Sequence, residues 1–372
     1  MRHRFGESCL SQGKEAVQMA TVLDPQPKQA SSWLFAPWLD ILCLGGLSLV
    51  AFLAVMFLNM TGEPSQDILV ALLFLNIFIN YPHYSATYYR VYRRTSEIRK
   101  YPLEAIWSPL LLTALGVLCS FSPAIAVPWL GFVYIVFSGY HYSGQTYGVS
   151  MIFLAKEGFK LNPWHKQLLA LPIYVSFLYS TLHLNTVQAK PLVMFDITIP
   201  KLGLPPVAAE LMLGGLIISV LGYVGLNYLY WNRSRKIFPM MVQVILVAHI
   251  VWFALSFRYP LMLALVPAFH CLQYLLVTTF SDFREQKAAM PEGAMTPRQY
   301  LASHQFTRYY GFQVLVGSLL FLGLPFLLSA VGLGPLTLML GVVAFLVNLH
   351  HFILDGAIWK LRKPEVATTL IR

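Results

Sequence analysis

Long apolar stretches alternate with short polar ones along nearly the whole chain. A hydrocarbon core of about 30 Å takes about 20 helical residues at about 1.5 Å each. Ten stretches meet that length, at roughly 38–60, 67–93, 103–121, 124–155, 165–188, 207–231, 238–257, 260–282, 306–330 and 334–361. Pro109, Pro128 and Pro172 fall inside them and predict kinks. The expected fold is all-α, a polytopic integral membrane helical bundle of about ten transmembrane helices. Residues 1–32 read as a disordered polar tail without the apolar run of a signal peptide. Residues 33–363 read as one transmembrane helical domain, and 364–372 as a short cytoplasmic C-terminal tail. The 189–206 connection is the only long outer loop. Its prolines and apolar residues predict a segment lying on the outer face.

Composition removes the soluble alternative for a chain of 372 residues. Hydrophobic residues make up 57% and charged residues 11%, against about 25% charged in an ordinary soluble domain. The formal net charge of +10 would suggest nucleic acid in a soluble protein. Here the basic residues lie between apolar runs, where they set orientation instead. With the N-terminus inside, 23 of the 26 Lys and Arg fall on the inner side, and only Lys190, Lys201 and Arg258 fall outside. One missed span would swap every later loop, so the split predicts ten helices with both termini cytoplasmic, most simply in a prokaryotic plasma membrane. Arg90, Arg93, Arg94, Arg99 and Lys100 read as a contact for anionic lipid. The expected partners are membrane lipids and a lipophilic small molecule, with no nucleic acid. Cys9, Cys43, Cys119 and Cys271 show neither metal nor disulfide spacing.

Ionisable residues within the membrane are costly and point to function. Six of the ten histidines fall within the apolar stretches away from their ends: His83, His141, His249, His270, His350 and His351. His83, His141, His270 and His351 sit on the second, fourth, eighth and tenth segments, all expected to run from outside to inside. Counted to the next charged residue, their depths differ by about 12 Å, within reach of one site if helices tilt. Each also lies on a polar stripe at helical spacing. The stripes are Asn76–Asn80–His83–Thr87, His141–Gln145–Gly148, His270–Tyr274–Thr278–Ser281 and Asn348–His351–Asp355–Trp359. Lipid satisfies none of these groups, so the stripes face inward. His350 points about 100° from His351, among Leu346, Val347 and Leu354. His249 shares its face with Ile245, Leu246, Trp252 and Phe253. Both read as packing histidines or donors to a ligand rather than ligands.

A single membrane histidine reads first as a helix–helix hydrogen-bonding residue worth about 1 kcal/mol. Four at similar depth, each on a polar stripe, read as a set that binds a metal. Neutral imidazole suits Fe, Zn, Cu or haem. Asp355, Asn80 and Gln145 are placed to orient rings through their second nitrogens. An all-imidazole shell with open positions suits Fe(II) and dioxygen. Zinc hydrolysis is disfavoured, because HExxH is absent and no membrane-depth glutamate stands near a histidine.

Three short stretches carry a family resemblance. Pro82-His83 in "NYPHYSATYY", His141 in "GYHYSGQTYG" and His270 in "FHCLQYL" resemble the Brp/Blh-like membrane carotenoid dioxygenases, which cleave β-carotene to retinal with a histidine-bound non-haem iron. The resemblance implies a His-x-x-x-His pair on the later helix, and this chain departs from it with Tyr274 in the second position. His351 would replace the missing ligand. The expectation is an integral membrane oxygenase in which His83, His141, His270 and His351 hold Fe(II). Tyr274, Gln145 and Asp355 would position ligands or a lipid-soluble polyene or isoprenoid substrate. The same residues leave three alternatives open. One is a transporter or proton relay, another a haem-binding electron carrier with two of the histidines as axial ligands, and the last an assembly protein without chemistry.

The charge split generates a direct test. Reporter fusions after residues 62, 122, 195, 259 and 332 are expected outside, and fusions after 96, 160, 235, 290 and 368 inside. Two adjacent fusions on the wrong side would break the ten-helix arrangement.

Overall fold

The computed structural model describes residues 32–62, 64–291 and 295–371. The tail read in residues 1–32 lies outside these apart from its last position. The described chain is almost wholly helical. Among the described residues, nine helices are long and apolar enough to cross a membrane: α1 (Pro37–Phe57), α2 (Gln66–Tyr92), α3 (Leu103–Ser120), α4 (Pro123–Lys156), α5 (Pro163–Leu184), α6 (Pro206–Ser234), α8 (Pro260–Ala288), α9 (His304–Ala330) and α10 (Leu336–Ile358). The stretch expected at 238–257 forms α7 (Met240–Ala254), which has 15 residues, followed by a 3-10 turn at Ser256–Arg258. That length covers about 22 Å, less than a full core, and α7 packs inside the bundle against α1, α4 and α5. Five of the membrane helices start on a proline (Pro37, Pro123, Pro163, Pro206, Pro260), whose missing N–H costs nothing at the first helical position. The largest boundary error is at α8. It runs past Asp282 to Ala288, because hydropathy marks the end of the apolar stretch and not the end of the helix.

Three proline sites inside helices are absorbed by π turns. Asn76–Asn80, Leu103–Trp107 and Leu319–Gly323 immediately precede Pro82, Pro109 and Pro325. Each proline deprives the carbonyl four residues earlier of its donor, and in lipid that carbonyl needs another. Tyr310 hydroxyl donates to the Phe78 carbonyl, and Tyr92 hydroxyl donates to the Ala105 carbonyl at 2.6 Å. A fourth π turn, Leu42–Gly46, exposes the Leu44 carbonyl, which Gln273 Nε2 fills at 2.5 Å.

α8 lies at the centre, with 67% of its apolar window buried within the bundle, and α10 follows with 50%. α9 packs on α2 at a close approach. A Cβ on Gly317 would land on the Tyr81 carbonyl and 2.8 Å from Tyr81 Cβ. In the 189–206 connection, β1 (Leu192–Met194) and β2 (Ile197–Ile199) form an antiparallel hairpin, turning at Phe195 and Asp196, both with positive φ. Ile197 and Ile199 are buried with Leu130, Phe345 and Leu349. They fill the space over Gly131 of α4 and Gly341 of α10. The segment read as a C-terminal tail carries a helix at Pro364–Ile371, with Val366 and Leu370 buried in the main core.

Gly317→Ala is expected to destabilise the protein by about 1–3 kcal/mol, as overpacking does, because the added methyl meets backbone rather than a movable side chain. Unfolding midpoints in detergent check this. An unchanged midpoint would show that α9 can move away from α2 without cost.

Candidate metal centre

Four helices each bring one imidazole to the middle of the bundle. His83 on α2 follows the π turn and Pro82. His141 is on α4, His270 on α8 and His351 on α10. All are buried, His83 and His351 completely. Ring centroids lie 4.4 Å apart for His83–His351, 5.0 Å for His141–His351 and for His141–His270, and 5.1 Å for His83–His270. His83, His141 and His351 each offer a nitrogen, and the three nitrogens lie within 4.8 Å of one another. His270 stands beside this triad but outside its spacing.

The hydrogen bonding of these rings sets them apart. Both nitrogens of His83, His270 and His351, and Nε2 of His141, are buried without a hydrogen-bond partner. An unmet buried polar atom costs about 1–3 kcal/mol, and ligation by a metal would answer that cost for one nitrogen of each ring. Packing fixes the ring planes instead. Tyr142 stacks on His270 at 3.9 Å and Phe352 stacks on His141 at 4.5 Å. Tyr84 meets His351 edge-on at 4.9 Å and donates its hydroxyl to Asn348 Oδ1 at 2.6 Å.

Haem does not fit between these histidines. His83 and His141 are 6.4 Å apart, a separation that could suit two axial ligands. The His351 ring, however, lies 4.4 Å from one and 5.0 Å from the other, where the porphyrin would have to pass.

Asp355 sits one turn after His351. Its Oδ1 accepts from Tyr274 hydroxyl at 2.8 Å and from Thr87 Oγ1 at 2.9 Å. Its Oδ2 is 3.3 Å from His351 Nε2 and 3.9 Å from His141 Nε2. Tyr274 hydroxyl also touches Thr87 Oγ1 and accepts from Trp359 Nε1 at 2.9 Å. Thr87 of α2 and Tyr274 of α8 thus hold one buried carboxylate of α10, with Trp359 bonded to Tyr274.

Two residues expected to orient rings do something else. Gln145 Nε2 donates to the His270 backbone carbonyl at 2.9 Å and to Gln273 Oε1 at 3.2 Å. It ties α4 to α8 and touches no imidazole nitrogen. Asn80 Nδ2 donates to Asn76 Oδ1 at 2.6 Å, within its own helix. Both sit on the right helical face, but face alone does not say which atom an amide reaches. His249 and His350 behave as packing residues. His249 contacts Thr146 Oγ1 at 2.9 Å and the Ile173 carbonyl at 3.1 Å. His350 contacts the Glu104 carbonyl at 3.1 Å and stacks on Tyr88.

Below the histidines, the end of the bundle carrying Arg90 and Arg93 is lined by charge, around a cavity of about 360 Å³. Arg93 pairs with Glu285, and Arg90 lies over the Trp359 ring at 4.2 Å and 3.6 Å from Glu285. Tyr300, outside the membrane helices, donates to Asp282 Oδ2 at 2.6 Å. Burial and that bond push its phenol pKa up. The arginines read as lipid contacts are therefore partly engaged within the protein. No family model matches the chain, and searches of the curated proteins and of the solved structures return no match.

The partners of each ring predict how variants behave. His83→Ala, His141→Ala and His351→Ala are expected to lose bound metal outright, as is His270→Ala. His350→Ala and His249→Ala are expected to keep most of it, because their partners are backbone carbonyls and hydroxyls. Metal-to-protein ratios of folded, monodisperse variants decide. A full site in His351→Ala with an empty one in His350→Ala would overturn the assignment.

Proposed function

We propose that the protein is an integral membrane metalloenzyme whose four intramembrane histidines, His83, His141, His270 and His351, hold one iron. The observation that carries this reading is the set of buried ring nitrogens without partners, converging from four helices. A proton relay would need these nitrogens hydrogen-bonded in series, which favours the metal reading over transport. Imidazole ligation suits iron as it does zinc and copper, and iron bound there with open positions would supply activation of dioxygen.

The chain's own groups then have separable tasks. Tyr142 and Phe352 fix ring planes by stacking. Thr87 and Tyr274 hold Asp355 against His351 and His141. Apolar walls exclude water, which suits a substrate that partitions into lipid. A polyene or isoprenoid such as a carotenoid fits that requirement and accords with the family resemblance of the Pro82-His83, His141 and His270 stretches. Both termini in the cytoplasm and a plasma membrane location complete the proposal.

Elemental analysis of protein expressed with ample metal and purified in detergent is the first test. About one iron per chain is expected, and substoichiometric iron, zinc and copper together would overturn the metal reading. Expression in a β-carotene-producing host is the second test. Loss of pigment with formation of an aldehyde is expected, and unchanged pigment beside folded, iron-loaded protein would remove this substrate.

A further inference from the structure

We propose that Asp355 is itself a ligand of the ion, through Oδ2, so that the centre is a histidine–carboxylate site rather than an all-imidazole one. The inference rests on the metal reading above and changes its ligand set.

Distance is the first ground. Two donors on one ion at about 2.0–2.2 Å stand about 3–4 Å apart across ordinary ligand–metal–ligand angles. Oδ2 lies 3.3 Å from His351 Nε2 and 3.9 Å from His141 Nε2, inside that range for both rings.

Direction is the second ground. A carboxylate that only orients a histidine lies on the ring's N–H axis. Oδ2 is 3.3 Å from His351 Nε2, within hydrogen-bond distance, yet that nitrogen has no hydrogen-bond partner, so the oxygen lies off the His351 ring axis. Donors that share an ion have this relation, because each points at the ion and not at its neighbour.

The third ground is how the carboxylate is held. Its two hydroxyl donors, Thr87 and Tyr274, both bond Oδ1. This leaves Oδ2 turned toward the rings. Charge favours the same arrangement. A divalent ion in neutral imidazoles keeps its whole charge in the membrane interior, and the Born cost rises with the square of that charge. One carboxylate ligand halves the charge that must be buried.

The test compares Co(II)-loaded wild type, Asp355→Asn and His350→Ala. Asparagine keeps the shape and an acceptor for the two hydroxyls but loses the anionic donor. Asp355→Asn is expected to shift the Co(II) visible bands and to weaken binding beyond the about 10–100-fold that losing an orienting partner costs. His350→Ala is expected to match wild type. An unchanged spectrum in Asp355→Asn, with affinity within that 100-fold, would overturn the carboxylate ligand and leave the histidine site standing. Wild type that binds no Co(II), zinc or iron would overturn the metal reading and this inference together. If Asp355→Asn does not fold, the infrared difference between metal-loaded and metal-free wild type decides. A carboxylate pair with the splitting of a metal-bound oxygen is expected, and its absence would overturn the ligand.

Discussion

Inside a bilayer a polar group has only the protein to bond, and that constraint organises this molecule. The carbonyls released by Pro82 and Pro109 receive tyrosine hydroxyls from neighbouring segments. The carbonyl released at the first π turn receives a glutamine amide. His249 and His350 find carbonyls. Against this background, seven of the thirteen buried side-chain polar atoms without a partner among the described residues belong to four histidine rings. Unmet atoms concentrated in that way indicate a missing ligand better than loose packing does, because the same bundle satisfies comparable groups nearby.

The rest of the fold serves to keep those rings together. α8 is the most buried of the membrane helices; it packs chiefly on α1 and α2, and Gln145 of α4 and Asp355 of α10 reach it by hydrogen bonds. Pro82 and its π turn re-aim α2 just before His83, and Gly317 lets α9 press directly on Tyr81. The hairpin drives Ile197 and Ile199 between α4 and α10 on one side of the site. On the other side, Arg90, Arg93 and Glu285 form a charged layer below the Trp359–Tyr274–Asp355 chain. On the proposed reading, a lipophilic substrate reaches the site from the bilayer, between helices.

The spans and the histidines were legible because both depend on simple periodicity. Apolar length sets the helices, prolines mark where five of them begin, and a turn of about 100° per residue separates His351 from His350. What was not legible depends on atoms meeting across helices. Tyr142 and Phe352 follow His141 and His351 directly in sequence, so their own helical faces point away from the stripe. Yet Tyr142 covers His270 and Phe352 covers His141. Gln145 lay on the expected face but bonds a backbone carbonyl, which no side-chain pattern reveals. The arginine cluster read as a lipid surface because its partners Asp282 and Glu285 lie some 190 residues away.

Tyr274 shows how a departure in one helix can be answered in another. The family resemblance implies a second histidine one turn after His270, and tyrosine there removes a donor from α8. Its phenol reaches Asp355 Oδ1 instead. On α10, His351 and Asp355 repeat the same four-residue spacing, with both side chains facing the rings. On the proposed reading, a His-x-x-x-Asp turn on α10 would take the place of the His-x-x-x-His turn that the resemblance implies on α8, with Tyr274 holding the carboxylate donor. In that arrangement the tyrosine is no loss to the site, because without its hydroxyl the carboxylate would keep only Thr87 as a donor and would be free to turn away.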